Sequence, residues 1–315
     1  MHLPRYVREG GTPPLSDDPA GSGWRTVVIP TAVGDLTVRA GRRTGGTATV
    51  LLHGAAGTWT TWTPLAAYAR DTGRTLENVV AVDLPGWGDS GELDPALHVE
   101  DVSHAIADLV RSLGYDDWIV AGHSLGGVVA LDLAARAPGP TVGVVLVAPT
   151  GASVIDAIRH PLRGGMRLPG FAGMLAVMRV LSAFGPRGAA IVEGVAAARL
   201  LPLLTRPLFS ARVDPSVVAA FRTEVRPTAF ARAARMLVGY DEDAWSAVRC
   251  PAQVVRGPRD VFASPSDDVA LAARIPQLRV RTASGTGHSR TSSAPTRCST
   301  RSRRSGAAGD GRDPR

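Results

Sequence analysis

The residues with the clearest capacity for chemistry surround Ser124. Gly122, Ser124 and Gly126 form a G-x-S-x-G pattern that follows an apolar run typical of a buried strand and precedes a helical run. At a sharp turn from strand to helix, a serine hydroxyl stands clear of the sheet, and there is no room for side chains two residues to either side. The next residue begins the helix, where backbone N–H groups stabilise negative charge. The pattern predicts that Ser124 is a nucleophile and that the N–H of Leu125 stabilises an oxyanion.

Two other polar residues follow predicted strands later in the chain. Asp260 comes shortly after the run Ala252–Arg256, and His288 ends a glycine-rich loop after the run Leu278–Thr282. A histidine activates a serine nucleophile by taking its proton, and a carboxylate orients that histidine. Both residues are therefore candidates for these roles. A role as a turn or helix-capping residue remains open for Asp260.

The elements that must position these residues alternate between strands and helices. One helical pattern starts at Thr63-Pro64, with Thr63 as the capping residue. Two others span His98–Leu113 and Val128–Ala137. Alternation of this kind predicts an α/β fold, with a mostly parallel sheet covered by helices on both faces. The predicted strands are Thr26–Ile29, Leu36–Ala40, Thr49–His53, Val79–Asp83, Trp118–Gly122, Val142–Ala148, Ala252–Arg256 and Leu278–Thr282.

Residues 150–240 interrupt this alternation, because prolines and glycines separate short helical stretches and no strand is evident. We predict a helical insertion between two strands of the sheet. Its apolar side chains either line a pocket for an apolar substrate or form the core of the insertion itself. They are Met166, Phe171, Met174, Leu175, Met178, Phe184, Phe209 and Phe221.

Composition excludes several classes of protein. With 315 residues, 44% of them hydrophobic and 20% charged, the chain can form one large domain and is not fibrous or disordered. No apolar run approaches the length of a membrane span, and no signal peptide is evident, so we expect a cytoplasmic protein. Two cysteines make neither a disulfide framework nor a metal cluster.

The net charge of +7 is not spread over the chain. All 35 basic residues are arginines, and residues 151–235 hold 12 of them against 4 acidic residues. Residues 289–315 hold another 7 against 2 acidic residues, so the rest of the chain is acidic. Because there is no basic patch with interleaved aromatic residues and no reading-helix motif, we predict no nucleic-acid binding.

Taken together, the motifs over residues 24–288 resemble those of the α/β-hydrolase superfamily. Leu51-Leu-His-Gly-Ala-Ala-Gly57 is similar to the loop in which the residue after His-Gly, here Ala55, donates the second N–H of the oxyanion hole. Asp83-Leu-Pro-Gly-Trp-Gly-Asp-Ser90 is similar to the family's next turn-forming loop. The order nucleophile, acid, histidine implies a triad of Ser124, Asp260 and His288, and the insertion stands where the family carries its cap.

The resemblance implies a serine hydrolase that cleaves a carboxylic ester through an acyl-enzyme, without a metal or organic cofactor. Its expected partner is a small, mostly apolar acyl substrate, and the oligomeric state stays open. C–C bond hydrolysis, perhydrolysis and acyl transfer use the same triad, and a ligand-binding or signalling protein with little turnover is an alternative of another class. A serine at position 124, where an aspartate would be needed, argues against dehalogenase and epoxide-hydrolase chemistry.

Several residues within or near these motifs have structural interpretations that we favour. His53 and His123 are predicted to pack and to form hydrogen bonds, and Asp83 is predicted to order its own loop. Trp59 and Trp62 either line the cleft or anchor the helix that they precede, and the sequence does not decide between these roles.

The two termini depart from a packed domain. Residues 1–23 are rich in proline, glycine, serine and aspartate and predict a disordered arm. Residues 289–315 contain no Val, Leu, Ile, Met, Phe, Trp or Tyr, so they predict a disordered basic tail in place of the family's C-terminal helix. A frameshift is a second explanation. With GC-rich codons, one C inserted after Ser289 makes the following bases encode Pro-His-Leu-Glu-Arg-Pro-Asp-Ala-Val-Leu-Asp-Ala-Ile-Ala-Ala-Phe, an amphipathic helix.

Overall fold

A computed structural model of the chain describes residues 13–197, 214–257, 260 and 262–282. Within these residues, eight strands form one sheet in the order β1-β2-β4-β3-β5-β6-β7-β8. β1 and β2 are antiparallel to their neighbours, and all other pairs are parallel. The α/β fold with a mostly parallel sheet is thus confirmed. The strands are β1 Trp24–Thr31, β2 Gly34–Gly41, β3 Thr47–Leu52, β4 Val79–Val82, β5 Asp117–His123, β6 Thr141–Val147, β7 Ala252–Arg256 and β8 Leu278–Thr282.

The described helices follow the predicted alternation. Those of the core are α1 Thr63–Asp71, α2 Val99–Ser112, α3 Leu125–Arg136 and α10 Pro265–Arg274. None of the described helices has both the length and the apolar character that crossing a bilayer requires. Between β6 and β7 lie α4 Ala152–Arg159, α5 Pro161–Arg167, α6 Pro169–Ala183, α7 Pro186–Ala197, α8 Pro215–Glu224 and α9 Pro227–Met236.

Alternate residues of the central strands bury their side chains on opposite faces of the sheet. Val50 and Leu52 of β3 pack in a core cluster with α2 and α3. Leu51, between them, packs in a second cluster that contains Trp59 and Trp62. A parallel strand covered on both faces needs apolar residues at every position, which explains the continuous apolar runs in the sequence. Trp59 and Trp62 are buried in the second cluster. Of the two roles considered for them, they therefore anchor α1 against the sheet.

Side chains on α8 and α9 and on the turn between them hold the helical insertion against the core. Arg226, between α8 and α9, donates hydrogen bonds to the carbonyl oxygens of Gly86 and Gly88, at 3.2 and 2.8 Å. Arg232 of α9 donates to the carbonyl oxygen of Leu93 at 2.8 Å. The loop after β4 therefore forms a floor on which this part of the insertion rests.

Three details at the ends of elements differ from the sequence predictions. Residues 13–23 of the predicted arm contact the body, where the N–H of Ser16 donates to the hydroxyl of Thr63 at 3.0 Å. Thr63 is the first residue of α1 and its side chain does not cap that helix, because its hydroxyl donates instead to the carbonyl of Thr60. α3 begins at Leu125, three residues before the predicted start at Val128. Residues 1–12 and the predicted tail, with its missing helix, lie outside the described residues.

Candidate active site

Ser124 occupies the turn between β5 and α3 in a backbone conformation that a residue with a side chain seldom adopts. Its φ is 49° and its ψ is −116°, and the carbonyl oxygen accepts hydrogen bonds from the N–H groups of Gly127 and Thr150, at 2.9 and 3.0 Å. Strain of about 1–3 kcal/mol at such a position persists only where the surroundings enforce it, and it is concentrated at functional sites. The sharp turn predicted from the G-x-S-x-G pattern is present.

The two glycines of the pattern allow strand and helix to approach each other. A Cβ atom on Gly122 would collide with the backbone oxygen of Gly126, and one on Gly126 would lie 2.5 Å from the backbone oxygens of Leu52 and His53. Because all of these atoms belong to the backbone, a side chain at either glycine would force the turn or β3 to move. The physical reason given for the glycine spacing therefore applies in this fold.

The loop after β3 also lies very close to the turn at Ser124. A Cβ atom on Gly54 would lie 2.9 Å from the Cβ of Ser124. His53, one residue earlier, is fully buried and donates from Nδ1 to the carbonyl oxygen of Gly54, while its Nε2 accepts from the N–H of Leu84 at 2.9 Å. Burial lowers the pKa of His53 from 6.5 to about 4, so the ring is neutral and has a hydrogen-bonding role.

Asp83, at the end of β4, orders the loop that follows it. Its Oδ1 accepts from the N–H of Trp59 at 2.9 Å and its Oδ2 from the N–H of Asp89 at 3.1 Å. Burial raises the pKa of Asp83 from 3.8 to about 6, while these two hydrogen bonds and Arg39, 3.6 Å away, lower it. The carboxyl therefore ties the loop after β4 to the segment that precedes α1.

Asp260 lies in the loop between β7 and α10. Its Oδ1 accepts from the N–H of Phe262 at 3.0 Å, and α10 begins behind it with Ser264 as the capping residue. Because β3, β5 and β7 are parallel, their carboxyl ends place Ala55, Ser124 and Asp260 at one edge of the sheet. His288, the predicted third member of the triad, lies outside the described residues.

A cavity of about 120 Å³ opens beside Ser124. Ala55 and Leu125, the two residues predicted for the oxyanion hole, line it together with the serine. Leu125 is the first residue of α3, where backbone N–H groups have no acceptor within the helix. The other described lining residues are Leu15, Gly54, Ala56, Gly57, Thr61, His123, Thr150, Val154, Ile158, Phe171, Met174, Val217, Phe221, Glu224, Phe230, Ala233, Ala234, Leu237 and Phe262.

The helical insertion supplies much of the apolar wall, although only some of the side chains proposed from the sequence take part. Phe171, Met174 and Phe221 line the cavity. Leu175 is buried in the core cluster instead, and Met166 and Phe184 are 79% and 56% exposed. Some of the proposed side chains therefore line the cavity, and others belong to the core or face solvent. Met178 is absent from the lining and Phe209 lies outside the described residues.

Glu224, at the end of α8, is a lining residue that the sequence motifs did not reveal. It is 6% exposed, and its Oε1 accepts hydrogen bonds from the hydroxyls of Thr58 and Thr60 at 2.8 and 2.6 Å. Burial raises the pKa of the carboxyl, and the two hydroxyls lower it. No sequence pattern marks this contact, because 166 residues separate Glu224 from Thr58.

Potential metal ligands do not converge in the described part of the chain. No group of three or more His, Cys, Asp or Glu residues there is arranged to hold a metal ion. Apart from Glu224, His123 is the other titratable residue among the described lining residues. The rest of the described lining consists of apolar side chains, glycines and hydroxyl-bearing residues.

A mostly parallel sheet of eight strands, with a serine at positive φ between a central strand and its helix, defines the class of α/β hydrolases. The sequence pattern of the Alpha/beta hydrolase family matches residues 49–300. The chain belongs to this family, which confirms the resemblance drawn from the motifs.

Individual relatives match the chain to different extents. The chain is 35% identical over 120 residues to the dihydrolipoyllysine-residue acetyltransferase component of the acetoin cleaving system of Cupriavidus necator, a match to 38% of this chain and 31% of that protein. It therefore spans less than a third of that relative's length. It is 29% identical over 253 residues to the pimeloyl-[acyl-carrier protein] methyl ester esterase of Aromatoleum aromaticum, a match to 79% of this chain and 94% of that protein.

Solved structures agree with the fold. A thermophilic esterase from Thermogutta terrifontis superposes with a TM-score of 0.62 at 21% identity, over 85% of this chain and 93% of that one. A putative lipase from Acinetobacter baumannii superposes with a TM-score of 0.64 at 18% identity, over 87% and 88% of the two chains. At these identities the likeness establishes the architecture of the chain.

Proposed function

We propose that the protein hydrolyses carboxylic esters through an acyl-enzyme formed on Ser124. The observation that carries the proposal is the strained turn at Ser124, which opens into a mostly apolar cavity also lined by Ala55 and Leu125. The relative from Aromatoleum aromaticum, named as a methyl ester esterase and matched over most of both chains, supports an ester as the substrate.

In the proposed mechanism, His288 takes the proton from Ser124 as the hydroxyl oxygen attacks the ester carbonyl carbon. Asp260 fixes the tautomer of that histidine and stabilises the imidazolium. The N–H groups of Ala55 and Leu125 stabilise the oxyanion, and each such donor contributes about 3–4 kcal/mol in comparable sites. The protonated histidine then gives its proton to the departing alcohol. Water, activated by the same histidine, hydrolyses the acyl-enzyme.

The cavity also supports an expectation for the substrate. Because the described lining is mostly apolar and holds no arginine, it suits an uncharged, mostly apolar acyl group better than a free carboxylate. In this proposal the helical insertion acts as a cap that covers the acyl group.

A panel of p-nitrophenyl esters from acetate to dodecanoate tests the proposal. We expect hydrolysis of uncharged acyl esters, and a loss of kcat of about 10⁴-fold or more in Ser124→Ala and His288→Ala. His160→Ala is a matched control, because that side chain is 58% exposed at the end of α4 and away from the cavity lining. Hydrolysis that persists at the wild-type rate in Ser124→Ala would overturn the proposal.

A further inference from the structure

The segment before β1, residues 13–19, crosses from the core of the molecule to the helical insertion beside the cavity. We call it the strap. The N–H of Leu15 donates to the hydroxyl of Ser216 on α8 at 2.8 Å. One residue later, the N–H of Ser16 donates to the hydroxyl of Thr63 on α1 at 3.0 Å. Two successive backbone groups of the strap are thus bound, one to the helical insertion and one to the core.

Both anchoring residues are themselves held in place. Ser216 is the second residue of α8, and its N–H donates to the capping carboxylate of Asp214 at 2.9 Å. Thr63 donates its hydroxyl hydrogen to the carbonyl oxygen of Thr60 at 2.8 Å. Since both partners belong to helices, they hold the backbone of the strap at Leu15 and Ser16 in place.

Leu15 is half-buried and lines the cavity. Its neighbours in the lining include Val217 and Phe221, from the same helix α8 that anchors the strap. From these contacts we propose that Leu15 is a specificity-determining residue, which closes one wall of the acyl site and limits the length of the acyl chain. This inference rests on the proposed ester hydrolysis.

The strap is well suited to a test by substitution. Its anchors are backbone N–H groups, so a change of the Leu15 side chain leaves both hydrogen bonds in place. Leu15→Ala removes three carbon atoms from the wall and lengthens the site, while Leu15→Trp fills it. Each additional methylene buried by a longer acyl chain is expected to raise kcat/KM about fourfold.

The experiment measures kcat/KM for p-nitrophenyl esters with 2 to 10 acyl carbons. We expect Leu15→Ala to raise kcat/KM for longer esters relative to acetate and to move the optimum at least two carbons longer, and Leu15→Trp to move it shorter. Leu162→Ala, at an exposed position on α5 outside the lining, should change nothing. An unchanged chain-length profile in Leu15→Ala, or a rate that falls equally at every length, would overturn the proposal.

A binding measurement separates this inference from the proposed function. Calorimetric titration of the Ser124→Ala protein with straight-chain alkan-1-ols reports the length of the site without turnover. If wild type hydrolyses no ester but Leu15→Ala still binds longer alcohols, the strap limits the site and the proposed function is wrong. If esters are hydrolysed but Leu15→Ala changes neither the preferred acyl length nor the length of alcohol that is bound, the inference about Leu15 is wrong and the proposed function stands.

Discussion

Glu224 is the contact through which α8 binds the loop that follows β3, and its removal should be measurable both in stability and in turnover. Thr58 and Thr60 both donate to its Oε1. Thr58 directly follows Gly57, at the end of the loop that carries Ala55. Glu224→Ala removes the acceptor and leaves the two hydroxyls in a buried environment.

The expected magnitude follows from the hydrogen bonds that remain. The two threonine oxygens lie 3.0 Å apart, so after the substitution one hydroxyl can donate to the other, and one hydrogen is left without an acceptor. A buried donor without an acceptor costs about 1–3 kcal/mol. We therefore expect Glu224→Ala to lower the free energy of unfolding by about 1–3 kcal/mol, and Glu224→Gln, which keeps an acceptor oxygen, to lower it by less than about 1 kcal/mol.

Urea unfolding of Glu224→Ala, Thr60→Val and the double variant measures the interaction directly. Residues in contact show coupling of about 0.5–3 kcal/mol, and we expect a value near 1 kcal/mol or above. Because the loop near Ala55 loosens, kcat for a short ester should fall more than KM rises, and Glu224→Gln should restore most of it. Additive effects, or a Glu224→Ala protein as stable and active as wild type, would refute this reasoning.

Three other predictions concern the turn, the buried histidine and the tail. Gly122→Ala should destabilise the protein by about 1–3 kcal/mol or more through its collision with the start of α3, while Gly139→Ala, with open space around it, should have little effect in the same urea melts. Between pH 6.5 and 4 the unfolded chain protonates His53 and the folded chain does not, so acid favours unfolding by up to about 3 kcal/mol. His53→Asn should remove this part of the pH dependence, and an equal slope of unfolding free energy against pH would contradict it. Replacing residues 290–305 by the frame-shifted helix should raise the melting temperature, because three or four buried apolar side chains contribute about 1.5–3 kcal/mol each. An unchanged melting temperature would show that no helix is missing there.

The sheet and the turn at Ser124 could both be predicted from the sequence. All eight predicted strands are present, because strands covered on both faces need unbroken apolar runs that stand out in a sequence. The turn could be predicted as well, because the G-x-S-x-G pattern is itself local and Gly122 makes room for the backbone of Gly126, four residues later. The second requirement is not local, since Gly126 makes room for the backbone of Leu52 and His53 at the end of β3.

The remainder of the site depends on contacts that no local pattern encodes. Leu15 reaches α8 across 201 residues of sequence, and Glu224 reaches Thr58 across 166. A proline-rich opening segment is typical of a loose arm, and here two backbone hydrogen bonds to distant hydroxyls outweigh that tendency. The hydroxyl of Thr63 likewise bonds to the distant strap and to Thr60, and it does not cap α1.

Mass spectrometry after reaction with an alkyl fluorophosphonate tests the central claim most directly, because such a probe forms a stable bond to an activated serine. The account predicts one adduct per chain, located on Ser124 by peptide mapping and absent from Ser124→Ala, with Ser112→Ala labelled like wild type. A probe that labels Ser124→Ala to the same extent, or that modifies a different residue of the wild-type protein, would contradict it.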